Sequence, residues 1–153
     1  MSKKKIAKIL SILSFVLILI AVVSLAASML TLTKTMSASL FAEDGEEPFQ
    51  VNITAMNLTT GTIAGVASLR ITGGGLMSTN VSATLDILDA QGNLLFSGSN
   101  TTVVSPNEVK YLTMRFSLSG IDFFSLSASV RLSFRTFFNL VGIEIYTELL
   151  GGD

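Results

Sequence analysis

The sequence predicts an all-β protein: an antiparallel β-sandwich of about seven or eight strands, preceded by one N-terminal transmembrane helix. Three observations lead there. Lys3, Lys4, Lys5 and Lys8 precede an apolar run over residues 9–32 that holds no charged residue. From Phe49 onward the hydrophobic period changes from helical to two. Turn residues then recur about every ten positions, with no second helical pattern long enough for a βαβ unit. The expected organisation is a basic flank and membrane helix over 1–33, an acidic linker over 34–48, and an extracytoplasmic sandwich over 49–150.

About 20 apolar residues in a helix span a hydrocarbon core of about 30 Å, so residues 9–32 are long enough to contact membrane lipid throughout. The four leading lysines outweigh Lys34 on the far side, which precedes the acidic Glu43, Asp44, Glu46 and Glu47. The positive-inside rule then places the N-terminus in the cytoplasm and the larger domain outside. Two alternatives share this start. One is a signal peptide cut after Ser24-Leu25-Ala26, which would release the domain. The other is an archaeal pilin-type leader. Against it, Lys5-Ile6-Ala7 is a poor processing site and no acidic residue opens the apolar run.

Composition removes several function classes. The chain has 153 residues and a formal net charge of −1. Beyond the helix there is length for one small domain. It lacks the basic footprint that nucleic acid requires, so no nucleic-acid partner is expected. There is no Cys, hence no disulfide framework or thiolate metal site, and no His, hence no Ser-His-Asp or Cys-His machinery.

The strands read in order. Phe49, Val51 and Ile53 alternate with Gln50, Asn52 and Thr54. Ile63, Ala67, Leu69 and Ile71 share a face opposite Arg70, and Gly73-Gly74-Gly75 ends that run as a connection needing positive φ. Val81, Ala83, Leu85 and Ile87 alternate with Asn80, Ser82, Thr84 and Asp86. Residues 89–93 have turn chemistry. Residues 94–96 return as a short strand, and 98–100 are expected to turn again. Ser105-Pro106-Asn107-Glu108 makes another turn. Leu112, Met114, Phe116 and Leu118 form the next buried face. Residues 120–125 are ambiguous between loop, edge segment and one helical turn. Ala128, Val130, Leu132 and Phe134 then face inward against Arg131 and Arg135, and Val141, Ile143 and Ile145 alternate with Glu144, Tyr146 and Glu148.

The last two strands suggest a register. Arg131 and Arg135 are four apart, as are Glu144 and Glu148. A hairpin pairing Arg135 with Glu144 and Arg131 with Glu148 would set Phe134 against Ile145 and Val130 against Leu149. A one-residue slip would turn charges into the core, so the pattern constrains pairing strongly. These cross-strand charge pairs are expected to face solvent. The alternative is a contact surface for a neighbouring subunit.

No catalytic, cofactor-binding or metal-binding constellation emerges. Asp86 and Asp89 flank a turn and read as turn-shaping. The segment Glu43-Asp44-Gly45-Glu46-Glu47 lacks the ligand spacing of a calcium loop and reads as a solvated, extended spacer. Four N-x-S/T sequons, at Asn52, Asn57, Asn80 and Asn100, exceed chance and mark possible N-glycosylation of an exterior domain.

The stretch over residues 69–118 carries a resemblance. It runs Leu69-Arg70-Ile71-Thr72-Gly73-Gly74-Gly75, then Asn80-Val81-Ser82-Ala83-Thr84-Leu85-Asp86, the 89–93 turn, and the Pro106 turn before an alternating strand. It resembles immunoglobulin-like modules of archaeal and bacterial surface proteins, including CARDB domains. It is also similar to the late-embryogenesis-abundant type 2 (WHy) sandwiches, without their Asn-Pro element. Either resemblance implies an immunoglobulin-like β-sandwich with a binding or structural role and no catalytic residues. The lysine-led start and absence of Cys and His suggest an archaeal surface protein. The expected function is a non-enzymatic, membrane-anchored module with a structural, adhesion or accessory-subunit role, partnered by an envelope protein or by itself. Two alternatives stand beside it: a pilus-like filament subunit joined through its helix or a donated strand, and a membrane-tethered binder of lipid or sugar.

Overall fold

The computed structural model describes residues 3–41, 45, 47–122 and 125–150. A 38-residue helix, α1 (Lys3–Leu40), leads the chain. Seven strands come after it: β1 (Phe49–Asn57), β2 (Thr62–Thr72), β3 (Thr79–Leu88), β4 (Leu94–Val104), β5 (Val109–Leu118), β6 (Ser127–Thr136) and β7 (Val141–Leu150). They form two antiparallel sheets, ordered β1-β2-β5 and β4-β3-β6-β7. Period-two patterning explains the layers. Ala67, Leu69 and Ile71 of β2 and Leu112, Met114 and Phe116 of β5 are buried on one inner face. Val81, Ala83 and Leu85 of β3 and Val130, Leu132 and Phe134 of β6 are buried on the other. Their polar alternates, the buried Ser129 excepted, lie on the outer faces, and burying the inner faces is the main force holding the sheets together.

One flank is closed and the other is open. On the β4–β5 side, Asn100 Nδ2 donates to the Thr113 carbonyl at 2.9 Å and Lys110 Nζ to the Val103 carbonyl at 2.7 Å, stitching the sheets together. On the β1 side, Val51 and Ile53 stay half-exposed beside an apolar cleft of about 370 Å³.

Three expectations need correction. The helix does not stop at residue 33. It runs through Leu40, because Thr35, Ser39 and Leu40 bury against the sandwich instead of forming a solvated linker. The acidic Glu43, Asp44 and Glu46 lie outside the described residues. Residues 98–100 do not turn, and β4 is continuous. Gly98 there leaves room for the Phe96 ring, whose atoms would lie 2.6 Å from an added Cβ, so Phe96 folds over the strand toward Phe116 with centroids 6.3 Å apart. The β6–β7 register differs by two residues: Arg135 pairs with Gly142, Phe134 with Ile143, Val130 with Thr147 and Arg131 with Tyr146. Gly142 explains this, because the Arg135 stem lies over it, 2.9 Å from where a Cβ would stand. A two-residue offset keeps the same faces buried. At Leu149 the register slips, so that residue has no opposite partner.

Candidate functional site: the seam between helix and sandwich

The helix divides into two parts. Residues 5–23 are exposed on every side, and burial begins at Ser24. Ile9, Leu13, Phe15, Leu17 and Ile20 are all more than half exposed, so this part is an apolar rod with no polar stripe. By length and composition α1 is sufficient to cross a membrane.

The second part is gripped by the sandwich. Ser28, Thr31, Thr35 and Ser39 are buried, three or four residues apart along one helical face, with Leu32 buried beside them. The seam is largely hydroxyl. Thr31 Oγ1 accepts the Leu76 N–H at 3.1 Å, Thr35 Oγ1 accepts the Gly74 N–H at 3.0 Å, and Ser39 Oγ accepts the Thr72 N–H at 3.0 Å. The helix contributes every fourth residue and the opposing chain every second. Three consecutive rungs form in this way between α1 and the connection that leaves β2 after Thr72, where Gly75 turns with φ +73°.

Glycine lets the backbones meet. A Cβ on Gly74 would lie 2.8 Å from the Lys34 backbone carbon, and one on Gly75 would lie 2.4 Å from the Thr31 Cα. Gly75 also has φ +73°, so the connection role expected from sequence coexists with a docking role that sequence reasoning missed. Further hydroxyls line the seam. Thr79 Oγ1 lies 3.4 Å from Thr35 Oγ1, and Thr136 Oγ1 donates to the Ser78 carbonyl at 2.9 Å. Thr31 and Ser28 also donate back to the carbonyls of Ala27 and Ser24, at 2.8 and 2.7 Å. The i, i+4, i+8 spacing of Thr31, Thr35 and Ser39, opposite a triple glycine, was the signal available in the sequence.

The other sequence-predicted residues lie elsewhere. Arg135 Nη2 reaches Glu144 Oε1 at 3.2 Å, diagonally across β6–β7, with both side chains at least half exposed. Glu148 pairs with Ser129, in the same diagonal relation to Arg131. Such exposed pairs contribute about 0–1 kcal/mol each. The sequons separate into two kinds. Asn52 and Asn57 are exposed on β1. Asn80 and Asn100 are half-buried, and each donates its Nδ2, to Asn139 Oδ1 at 3.4 Å and to the Thr113 carbonyl.

The carboxylates organise turns. Asn93 donates its side-chain and backbone N–H groups to Asp89, and with Gln91 and Gly92 holds the Asp89 carboxyl below its usual range. The Ser105 backbone N–H, helped by Lys110, does the same for Glu108. Asp86 accepts from Ser97 Oγ at 2.6 Å. Among the described residues, no three His, Cys, Asp or Glu side chains gather closely enough to hold a metal.

No family model matches the chain, and no curated protein matches it. Solved structures share its fold. A Bacteroides uniformis β-glucuronidase superposes with a TM-score of 0.53 at 8% identity, over 68% of this chain and 13% of that one. A calcium-binding mutant of Bacteroides uniformis β-glucuronidase 2 gives 0.52 at 10% identity, over 69% of this chain and 13% of that one. This likeness establishes the β-sandwich and carries no chemistry across.

Proposed function

We propose that the chain is a non-enzymatic, membrane-anchored module whose sandwich sits at a fixed height and angle on the outer face of a cell membrane. There it serves a structural, adhesion or accessory-subunit role, in the manner of the immunoglobulin-like surface modules its strands resemble. The hydroxyl ladder carries this reading. A domain meant to swing on a tether has no use for three backbone hydrogen bonds to its own anchor. A domain that presents a surface in one orientation, to an envelope protein or to a second copy, does.

The test uses the full chain in lipid nanodiscs. The protein has no cysteine, so Leu58→Cys gives one label on the exposed β1–β2 turn. Fluorescence anisotropy decay of that label is expected to follow tumbling of the whole disc. Independent fast rotation of the sandwich would refute fixed seating. Protease added to intact cells is expected to remove the sandwich; full protection would refute the outward orientation.

The cleft beside β1 favours a second reading. Its lining is apolar, with Val51, Ile53, Ile63, Ile87, Phe116 and Leu126 among the residues. An acyl chain suits such a lining and a sugar does not. Mass spectrometry of the purified full chain, released from detergent, tests for a retained lipid.

A further inference from the structure

We infer that the β6–β7 hairpin tip, residues 137–140, is a second membrane contact that enters the outer leaflet beside the helix. The inference rests on the membrane-anchor reading and adds to it a site that the sequence did not reveal.

The first observation is depth. Phe137, Leu140 and Val141 face Leu17, Ile20 and Leu25 across an open apolar groove. Leu17 and Ile20 belong to the rod, below the first seam contact at Ser24. A bilayer that covers Leu17 and Ile20 therefore also reaches the tip.

The second observation is length. Between Lys8 and Ser24, the free rod over residues 9–23 is about 22 Å long at 1.5 Å per residue. A hydrocarbon core is about 30 Å. With the lysines at the inner surface, the outer part of that core extends past Ser24 and surrounds whatever grips the helix there.

The third observation is the chemistry of the tip. Phe138 is 90% exposed and Leu140 76%. No charged residue occurs from Thr136 to Ile143. The tip's one side-chain amide, Asn139, accepts a bond from Asn80 Nδ2 at 3.4 Å through its oxygen. Phe137, Phe138 and Asn139 have φ of 51°, 55° and 62°, a run of left-handed residues in which phenylalanine is unfavourable. Glycine or asparagine would form this turn with less strain. An exposed phenylalanine ring is costly in water, and contact with lipid removes that cost. The charged β4–β5 turn is bonded to Gly73, level with Thr35 and Ser39, and so lies farther out along the helix.

The absence of cysteine makes the test direct. Phe138→Cys, Leu140→Cys, Leu17→Cys and Leu58→Cys are each labelled with an environment-sensitive fluorophore in the full chain. Each is reconstituted into phosphatidylcholine vesicles with and without acyl-chain spin-labelled lipid. The expected result is blue-shifted emission and spin-label quenching at positions 17, 138 and 140, with aqueous emission at 58. Quenching at 17 with aqueous emission at both 138 and 140 overturns the inference and leaves the anchor standing. Aqueous emission at 17 overturns both.

Discussion

Replacing Thr35 with valine isolates the central rung of the ladder. Valine keeps the β-branched shape and volume, so neither a cavity nor a clash results. It removes the oxygen that accepts the Gly74 N–H at 3.0 Å and that contacts the Thr79 hydroxyl at 3.4 Å. Thr35 is fully buried, so water cannot replace the lost acceptor without opening the seam. Leaving a buried donor unpaired costs about 1–3 kcal/mol. At about 1.4 kcal/mol per factor of ten, the docked state loses between several-fold and about a hundredfold against the undocked one. Hydrogen exchange of the full chain in nanodiscs reads this directly. Amides 72–76 are expected to lose protection by that factor, while the β3–β6 ladder keeps its own. Thr35→Ser, which retains the oxygen, is expected to stay close to wild type at the same amides. Unchanged exchange at 72–76 in Thr35→Val would refute the claim that the hydroxyl holds the sandwich to the helix.

The same geometry sets further outcomes. Gly75→Ala meets both a left-handed backbone cost of about 1–2 kcal/mol and the Thr31 Cα at 2.4 Å, so thermal denaturation should show a larger loss than Thr35→Val. Phe134→Ala empties a fully buried position in the sandwich core and is expected to cost about 3–5 kcal/mol by chemical denaturation. Acid should loosen the β3–β4 turn: the Asp89 pKa is lowered by folding, so its contribution is complete above the unfolded value and disappears as pH falls through the folded one. NMR of the Gln91 and Asn93 amides across that range checks the sign. Expressed in a glycosylating host, the chain should carry glycan at Asn57 or Asn52 in preference to Asn100, whose Nδ2 is held at 2.9 Å by the Thr113 carbonyl; glycopeptide mass spectrometry decides.

Where the sequence was legible, a single local rule governed the outcome. The apolar residues of β3, β5 and β6 recur at every second position, and their central members are buried on the inner faces. The rod was legible because a charge-free run of that length has few structural solutions. Legibility failed where one residue type serves two purposes. Thr31, Thr35 and Ser39 fit an apolar helix end or a linker equally well, because hydroxyls are neutral to either reading until a partner backbone is known. Gly98 has the chemistry of a turn residue, but its role is to vacate space for Phe96. Gly142 shifts the hairpin register in the same way, by accommodating Arg135. The tip was not legible because nothing local predicts phenylalanine in left-handed backbone.

The seam's chemistry bears on why it is hydroxyl and not apolar. On the membrane-anchor reading proposed above, an apolar seam would gain little from docking, since lipid tails solvate leucine as well as a protein core does. Hydroxyls change that balance. Before docking, Thr31 and Ser28 can satisfy their protons on the carbonyls of Ala27 and Ser24, so the helix can enter lipid without exposing an unpaired donor. The acceptor side of Thr31, and with it Thr35 and Ser39, is then available to N–H groups presented at matching spacing, which the chain over residues 72–76 supplies and lipid tails do not. Thr31 thus serves both states, bonded to its own helix through its proton and to the sandwich through its oxygen, while Thr35 and Ser39 exchange both donor and acceptor with the chain at Gly74 and Thr72. They also fix rotation as well as contact, because the rungs align on only one face of the helix. That rotation turns the β6–β7 tip alongside Leu17 and Leu25, so which side of the rod the tip faces follows from the positions of three hydroxyls on α1.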